Sequence, residues 1–185
     1  MPKLPSLKGI TQYTPKESME RARKYMRTAG NRKRLTPDDF KVGNFLFLKY
    51  NAKDKSKTYD KNPLIMVLRR NSKHTLGLNF HWIPYMKRIE LIHFIFSLNI
   101  SRVKNHKPLV FTYPQLKEFL KKRGYSPCIR LYLNRRLSRN GFKVPNTQLL
   151  GFSRLNMMIF NDGKTAEEVY SMAINKRIAQ FRYFG

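Results

Sequence analysis

Eleven acidic side chains, four histidines and one cysteine are the groups in this 185-residue chain to which covalent or metal chemistry would fall. A hydrolytic nuclease needs two or more carboxylates converging on Mg²⁺. Here Asp38 and Asp39 abut the start of an element, Asp54 and Asp60 sit in a lysine-rich loop, and Glu167 and Glu168 suit a first helical turn. Each has an ordinary structural use, so no catalytic residue and no metal ligand is assigned. Of the histidines, His74, His81, His93 and His106, none has a second histidine at metal-ligand spacing. His81, beside Trp82, is read as a packed or hydrogen-bonded residue. Cys128 falls at a predicted helix start, where the dipole can lower a thiol pKa, but a lone cysteine is more simply a small core residue. Neither GxxxxGK[ST] nor GxGxxG occurs, so no nucleotide cofactor is expected.

The cations carry the stronger signal. Lys and Arg number 38 against those 11 acids, a formal charge of +27. Residues 101–143 hold twelve of the cations with Glu118 as their one acid, and residues 41–75 hold nine with two acids. Residues 76–100, between them, are almost neutral. Cations of this kind neutralise phosphates and release counterions, which gives affinity without sequence preference. The candidate nucleic-acid-binding residues are Arg32, Lys33 and Arg34 in a linker, and Arg69, Arg70 and Lys73 at a strand end and turn. Lys121, Lys122, Arg123, Arg130, Arg135, Arg136 and Arg139 complete the set. This last group becomes nearly continuous if two predicted helices pack as a hairpin. The expected partner is DNA or another polyanion.

Composition narrows the class further. A hydrophobic fraction of 41% with 13% aromatics predicts a folded domain rather than a basic tail. One cysteine permits no internal disulfide and no cysteine-based zinc site, as in a reducing compartment or a virion assembled in one. No apolar run reaches the roughly 18–20 residues that cross a bilayer. The nearest, 83–98, is broken by Lys87, Arg88, Glu90 and His93. The start of the chain lacks a signal-peptide core, so a soluble protein with no membrane partner is expected.

The elements that must position these residues follow from periodicity. Residues 1–13 read as an extended arm. Thr14, Pro15 and Glu17 form a capping-box start for a helix to about Ala29, with Gly30 as its stop. Its apolar face is weak, and it is expected to lean on a partner. Residues 43–50, 63–70 and 75–83 read as three strands of an antiparallel meander. Pro84 starts a core helix to about Leu98, Pro114 a third helix, and Pro127 a fourth that carries Ile129, Tyr132 and Leu133 on one side. Residues 148–152 are expected as a last strand. Thr165 and Glu168 open a terminal helix by a second capping box.

The segments Tyr50–Lys53, Tyr59–Leu64 and Gly77-Leu78-Asn79-Phe80-His81-Trp82-Ile83-Pro84, with Arg88 following, form a recognisable series. Ser126-Pro127-Cys128, then Tyr132-Leu133 and Arg135-Arg136, extend it. Over about residues 40–140 the chain resembles a family of small proteins of contractile-tailed, T4-like bacteriophages. That family carries Tyr-Tyr-Asp-x-x-Pro-Leu, Gly-Leu-Asn-x-His-Tyr-Leu-Pro and Lys-Pro-Cys blocks. The resemblance implies a virion or DNA-packaging protein, some members being labelled DNA end protectors. It departs at Gln148–Arg154, where the family has a Trp-Asp-Ile strand and a Leu-Pro-Thr-Glu-Arg segment.

The combined expectation is an α+β domain: a small SH3-like antiparallel barrel or curled sheet with packed helices. Residues 1–40 would be a basic N-terminal arm and helix, 41–160 the core, and 161–185 a C-terminal helix. The expected function is non-catalytic DNA binding in head completion, DNA-end protection or virion assembly. The protein would reside in the virion and, during assembly, in the host cytoplasm. The alternatives are a tail or baseplate component, its arm and C-terminal helix engaging neighbouring virion proteins, and a nuclease.

Overall fold

The computed structural model describes residues 13–29, 34–105, 110, 113–155 and 157–183. Residues 1–12 of the expected arm at 1–13, the Gly30 stop, and the candidates Arg32 and Lys33 lie outside them. Among the described residues, six α-helices surround a five-stranded antiparallel sheet.

The strands are β1 (Phe45–Tyr50), β2 (Leu64–Arg70), β3 (His74–Asn79), β4 (Ile129–Leu133) and β5 (Leu137–Val144), in spatial order β4-β3-β2-β1-β5. The meander forms as its aromatic and β-branched runs predict. Its second turn is fixed by Asn71, whose side-chain oxygen accepts the Lys73 and His74 amides at 2.9 and 2.7 Å. β3 stops at Asn79, short of the expected residue 83. The Asn79 side chain accepts the His81 amide and turns Phe80–Trp82 into a 3₁₀ segment.

Two expectations are corrected here. The helix foreseen after Pro127 is β4: Pro127 starts only a 3₁₀ turn, Ser126–Cys128. The following Ile-Arg-Leu-Tyr-Leu pairs with β3 from His74↔Leu133 to Leu78↔Ile129, which buries Tyr132 and leaves Leu131 exposed on the opposite face. The strand foreseen at 148–152 is helical, within α5 (Asn146–Arg154). Leu149, Leu150, Phe152 and Leu155 bury at helical spacing there.

Backbone pairing does not close the sheet into a barrel, because β4 and β5 remain its two edges. The 3₁₀ turn Asn134–Arg136 carries the chain from one edge to the other instead of pairing them. Asn134 holds that turn by donating to the Asn71 and Ser72 carbonyls and accepting from the Thr75 hydroxyl. The sheet nevertheless curls: Tyr132 on β4 meets Tyr50 on β1 edge to face, with ring centroids 5.0 Å apart.

Both faces of the sheet are covered. One holds a small core of Leu46, Leu48, Ile65, Val67 and Tyr132 under Leu35 and Phe40. Phe45, Leu64, Met66 and Leu78 on the other face meet the helices α1 (Pro15–Ala29), α2 (Tyr85–Ser97), α4 (Tyr113–Lys122), α5 and α6 (Ala166–Tyr183). The short α3 (Ile100–Lys104) follows α2. The Thr14–Glu17 and Thr165–Glu168 capping boxes form as read. The partner of weakly apolar α1 is α5 of the same chain. A Cβ on Gly151 would stand 2.1 Å from the Ser18 carbonyl oxygen, so only glycine allows so close an approach.

Candidate nucleic-acid interface

The predicted cations separate into those spent on the fold and those left for a ligand. Arg123, half-buried at the end of α4, pairs with Glu90 at 2.6 Å. Arg130 lies on β4 with its guanidinium 3.9 Å above the Trp82 ring. Both are held by intramolecular contacts. Lys121 and Lys122 are exposed on α4. The helical hairpin that was to join them to Arg130–Arg139 does not form, since 129–144 is strand, turn and strand.

A different grouping forms at one end of the curled sheet. The Leu35 amide donates to the Arg139 carbonyl at 3.0 Å, which sets Arg34 beside β5. Arg70 Nη1 donates to the Pro37 carbonyl at 3.2 Å, and its guanidinium covers Phe40 at 4.2 Å. Partial burial, then the charge of Arg139, draws the Arg70 pKa below its ordinary value. The Asn134 amide donates to the Lys73 carbonyl, so Lys73 adjoins the turn that carries Arg135 and Arg136. Arg34, Arg69, Lys73, Arg135 and Arg139 are exposed and Arg136 is half-exposed.

A depression of about 610 Å³ opens at Arg34 and Arg139. Its third cation is Lys49, and Met26, Phe47 and Phe142 supply apolar wall. Among the described residues no carboxylate lines it. Lys49 is not among the cations expected from the sequence; its signal is position alone, an outward residue between inward Leu48 and half-buried Tyr50 on β1. Such a basin can accept phosphate oxygens at the cations and a flat apolar group at the phenyl rings.

The lysine-bearing loop 51–62 is pinned from the far end of the chain. The Asn161 side chain accepts the Tyr59 amide at 2.7 Å and donates to the carbonyls of Lys55 and Lys57. Thr58 donates to Asp162, and Asp60 bridges Phe160.

The titratable groups are distributed over structural duties. Asp39 caps Thr36, Asp54 binds Ser56 and Lys57, Asp38 pairs Lys41, and Asp162 pairs Lys164. Glu17 and Glu168 are held below the usual carboxylate range by the threonine amides that they cap. Among the described residues no three histidine, cysteine or acidic side chains are grouped to hold a metal ion. His106 lies outside the described residues. Burial, then the charge of Arg154, lowers the His93 pKa. Cys128 is fully buried and donates to the Trp82 carbonyl, and burial pushes its thiol up to about 12, opposite to a dipole-activated nucleophile. Among the described residues no helix is long and apolar enough to cross a membrane.

Comparison with known proteins returns no matching family model, curated protein or solved structure.

Proposed function

We propose that this chain is a non-catalytic DNA-binding protein of a contractile-tailed bacteriophage, acting in head completion, DNA-end protection or virion assembly. The observation that carries the DNA contact is the end of the sheet where Arg34, Lys49 and Arg139 converge on a basin lined by no carboxylate among the described residues, with Arg70 held nearby on Pro37. Self-repulsion among these cations destabilises the isolated fold, and a polyanion lying across them removes that cost. The phage assignment rests on the Gly77–Pro84 and Ser126–Cys128 blocks.

The scaffold is read as SH3-like. In its support stand the strand order β4-β3-β2-β1-β5, the 3₁₀ turn between β4 and β5, and the inward curl that brings Tyr132 onto Tyr50.

The test is a filter-binding salt titration with linear duplex and with covalently closed circles. Affinity for both should fall steeply between low and moderate salt. Tighter binding to the linear form assigns end protection. Binding indifferent to ionic strength overturns the reading.

A further inference from the structure

Arg88 is among the largest side chains that the fold shuts away completely, at 2% exposed. A buried guanidinium ordinarily faces a carboxylate, because removing its charge from water costs several kcal/mol. Among the described residues, none of the ion pairs includes Arg88. Its Nε donates to the Ile83 carbonyl at 2.5 Å. Nη1 reaches the Ser153 carbonyl only at 3.5 Å, and Nη2 faces the Met158 sulfur at 3.6 Å. The two terminal nitrogens, the pair that grips an oxyanion bidentately, are thus weakly engaged. Burial pulls the Arg88 pKa down to about 10, opposed by the charges of Glu167 and Asp60, so the side chain is still a cation at neutral pH.

Arg88 lines a cavity of about 420 Å³ where α2, the end of α5 and the start of α6 meet. Arg154, Lys164, Ala166 and Glu167 line it too. Arg154 gives one bond to Ser18 and Lys164 is paired with Asp162, while Glu167 is the single carboxylate among the described residues of the wall. The cavity also receives the first turn of the 18-residue helix α6. Amides in a first turn have no intrahelical acceptor, and the helix dipole there favours an anion.

We propose that this cavity is a phosphate-binding site with the buried Arg88 as its principal ligand, supported by Arg154, Lys164 and the first-turn amides of α6. It shares no lining residue with the Arg34–Arg139 basin and does not rest on the DNA-binding reading. The bound group is a tetrahedral phosphate, whether of a nucleic-acid backbone or of a small phosphate ester. Glu167 opposes that charge and sets a ceiling on the affinity.

The test titrates inorganic phosphate into the ¹⁵N-labelled full chain, with sodium chloride at matched ionic strength as control. Saturable shifts are expected at the Ala166 and Glu167 amides and at Arg88 Nε. Arg88→Lys should weaken binding at least tenfold. Should that variant fail to fold, Lys164→Gln should weaken binding and Glu167→Gln tighten it, each about threefold or more. Non-saturating shifts scattered over the basic sheet end overturn the proposal. So does a Glu167→Gln variant that loses stability without gaining phosphate affinity, since Glu167 would then be the counterion of Arg88. With phosphate binding established, competition by a short duplex identifies the backbone as the source, and its failure to compete identifies a small ester.

Discussion

His81 Nδ1 lies 2.8 Å from Asp60 Oδ2, and both side chains are closed off from solvent. The same carboxylate accepts from Asn79 Nδ2 at 3.2 Å and from the Asn62 amide at 3.0 Å. A strand end, a 3₁₀ turn and the lysine-bearing loop therefore share one acceptor. Asp60→Ala strands all three donors and should cost at least about 3 kcal/mol, read from the urea midpoint. Asp38→Ala, an exposed control, should stay within about 0.5 kcal/mol.

Gly151 governs how closely α1 approaches α5. A methyl group there would also press on Ala22 Cβ at 2.9 Å. Gly151→Ala should destabilise by about 1–3 kcal/mol, a fall in Tm of roughly 2–4 °C for each kcal/mol. An unchanged melting temperature would show that α1 is not seated on α5 in solution.

Neutralising the basin should change salt dependence as well as affinity. Each of Lys49→Gln, Arg34→Gln and Arg139→Gln should reduce the slope of log K against log salt by about 1. Arg123→Gln, at a cation already paired with Glu90, should change the slope much less.

The alkaline limit of stability has an identifiable source. The Cys128 thiol is raised by burial from 9.0 to about 12, and burial raises Tyr125 and Tyr132 as well. The unfolded chain therefore loses these protons first. The stability involved is fully present below pH 9.0 and is lost as pH rises toward about 12. Denaturant midpoints should decline across that window. Thiol labelling of Cys128 at neutral pH should proceed only as fast as the protein opens.

Asn161 ties loop 51–62 to the segment before α6 through three side-chain hydrogen bonds. Asn161→Ala should speed tryptic cleavage at Lys53, Lys55 and Lys57 several-fold while leaving the far-ultraviolet circular dichroism unchanged.

The parts of the fold legible in sequence were those whose signals are local. Thr14 and Thr165 each stand three residues before a glutamate, and both capping boxes formed. β1, β2 and the core helix α2 followed their apolar periods. β4 was misread because Pro127 is an equally good start for an α-helix or a single 3₁₀ turn, and five residues are too few to fix a period. α5 was misread because Leu149-Leu150-Gly151-Phe152 is apolar without visible period, and only contact with Ser18 and Ala22 explains its glycine. The cations of the candidate site were named from composition, but their grouping was not. Arg34, Arg70 and Arg139 meet through the Leu35–Arg139 and Arg70–Pro37 bonds, and no local pattern announces such pairings.

β1 takes one neighbour from β2, close behind it in the chain, and the other from β5, where Tyr50 faces Leu137 and Phe45 faces Val144. As the polypeptide leaves the ribosome, the first neighbour is at hand almost at once. The second emerges only roughly ninety residues after β1, several seconds at ordinary translation speeds. For that interval one flank of β1 offers bare amides and carbonyls to any other strand nearby. Nascent chains interrupted between residues 70 and 137 should therefore stick to one another, whereas chains carried past 144 should not.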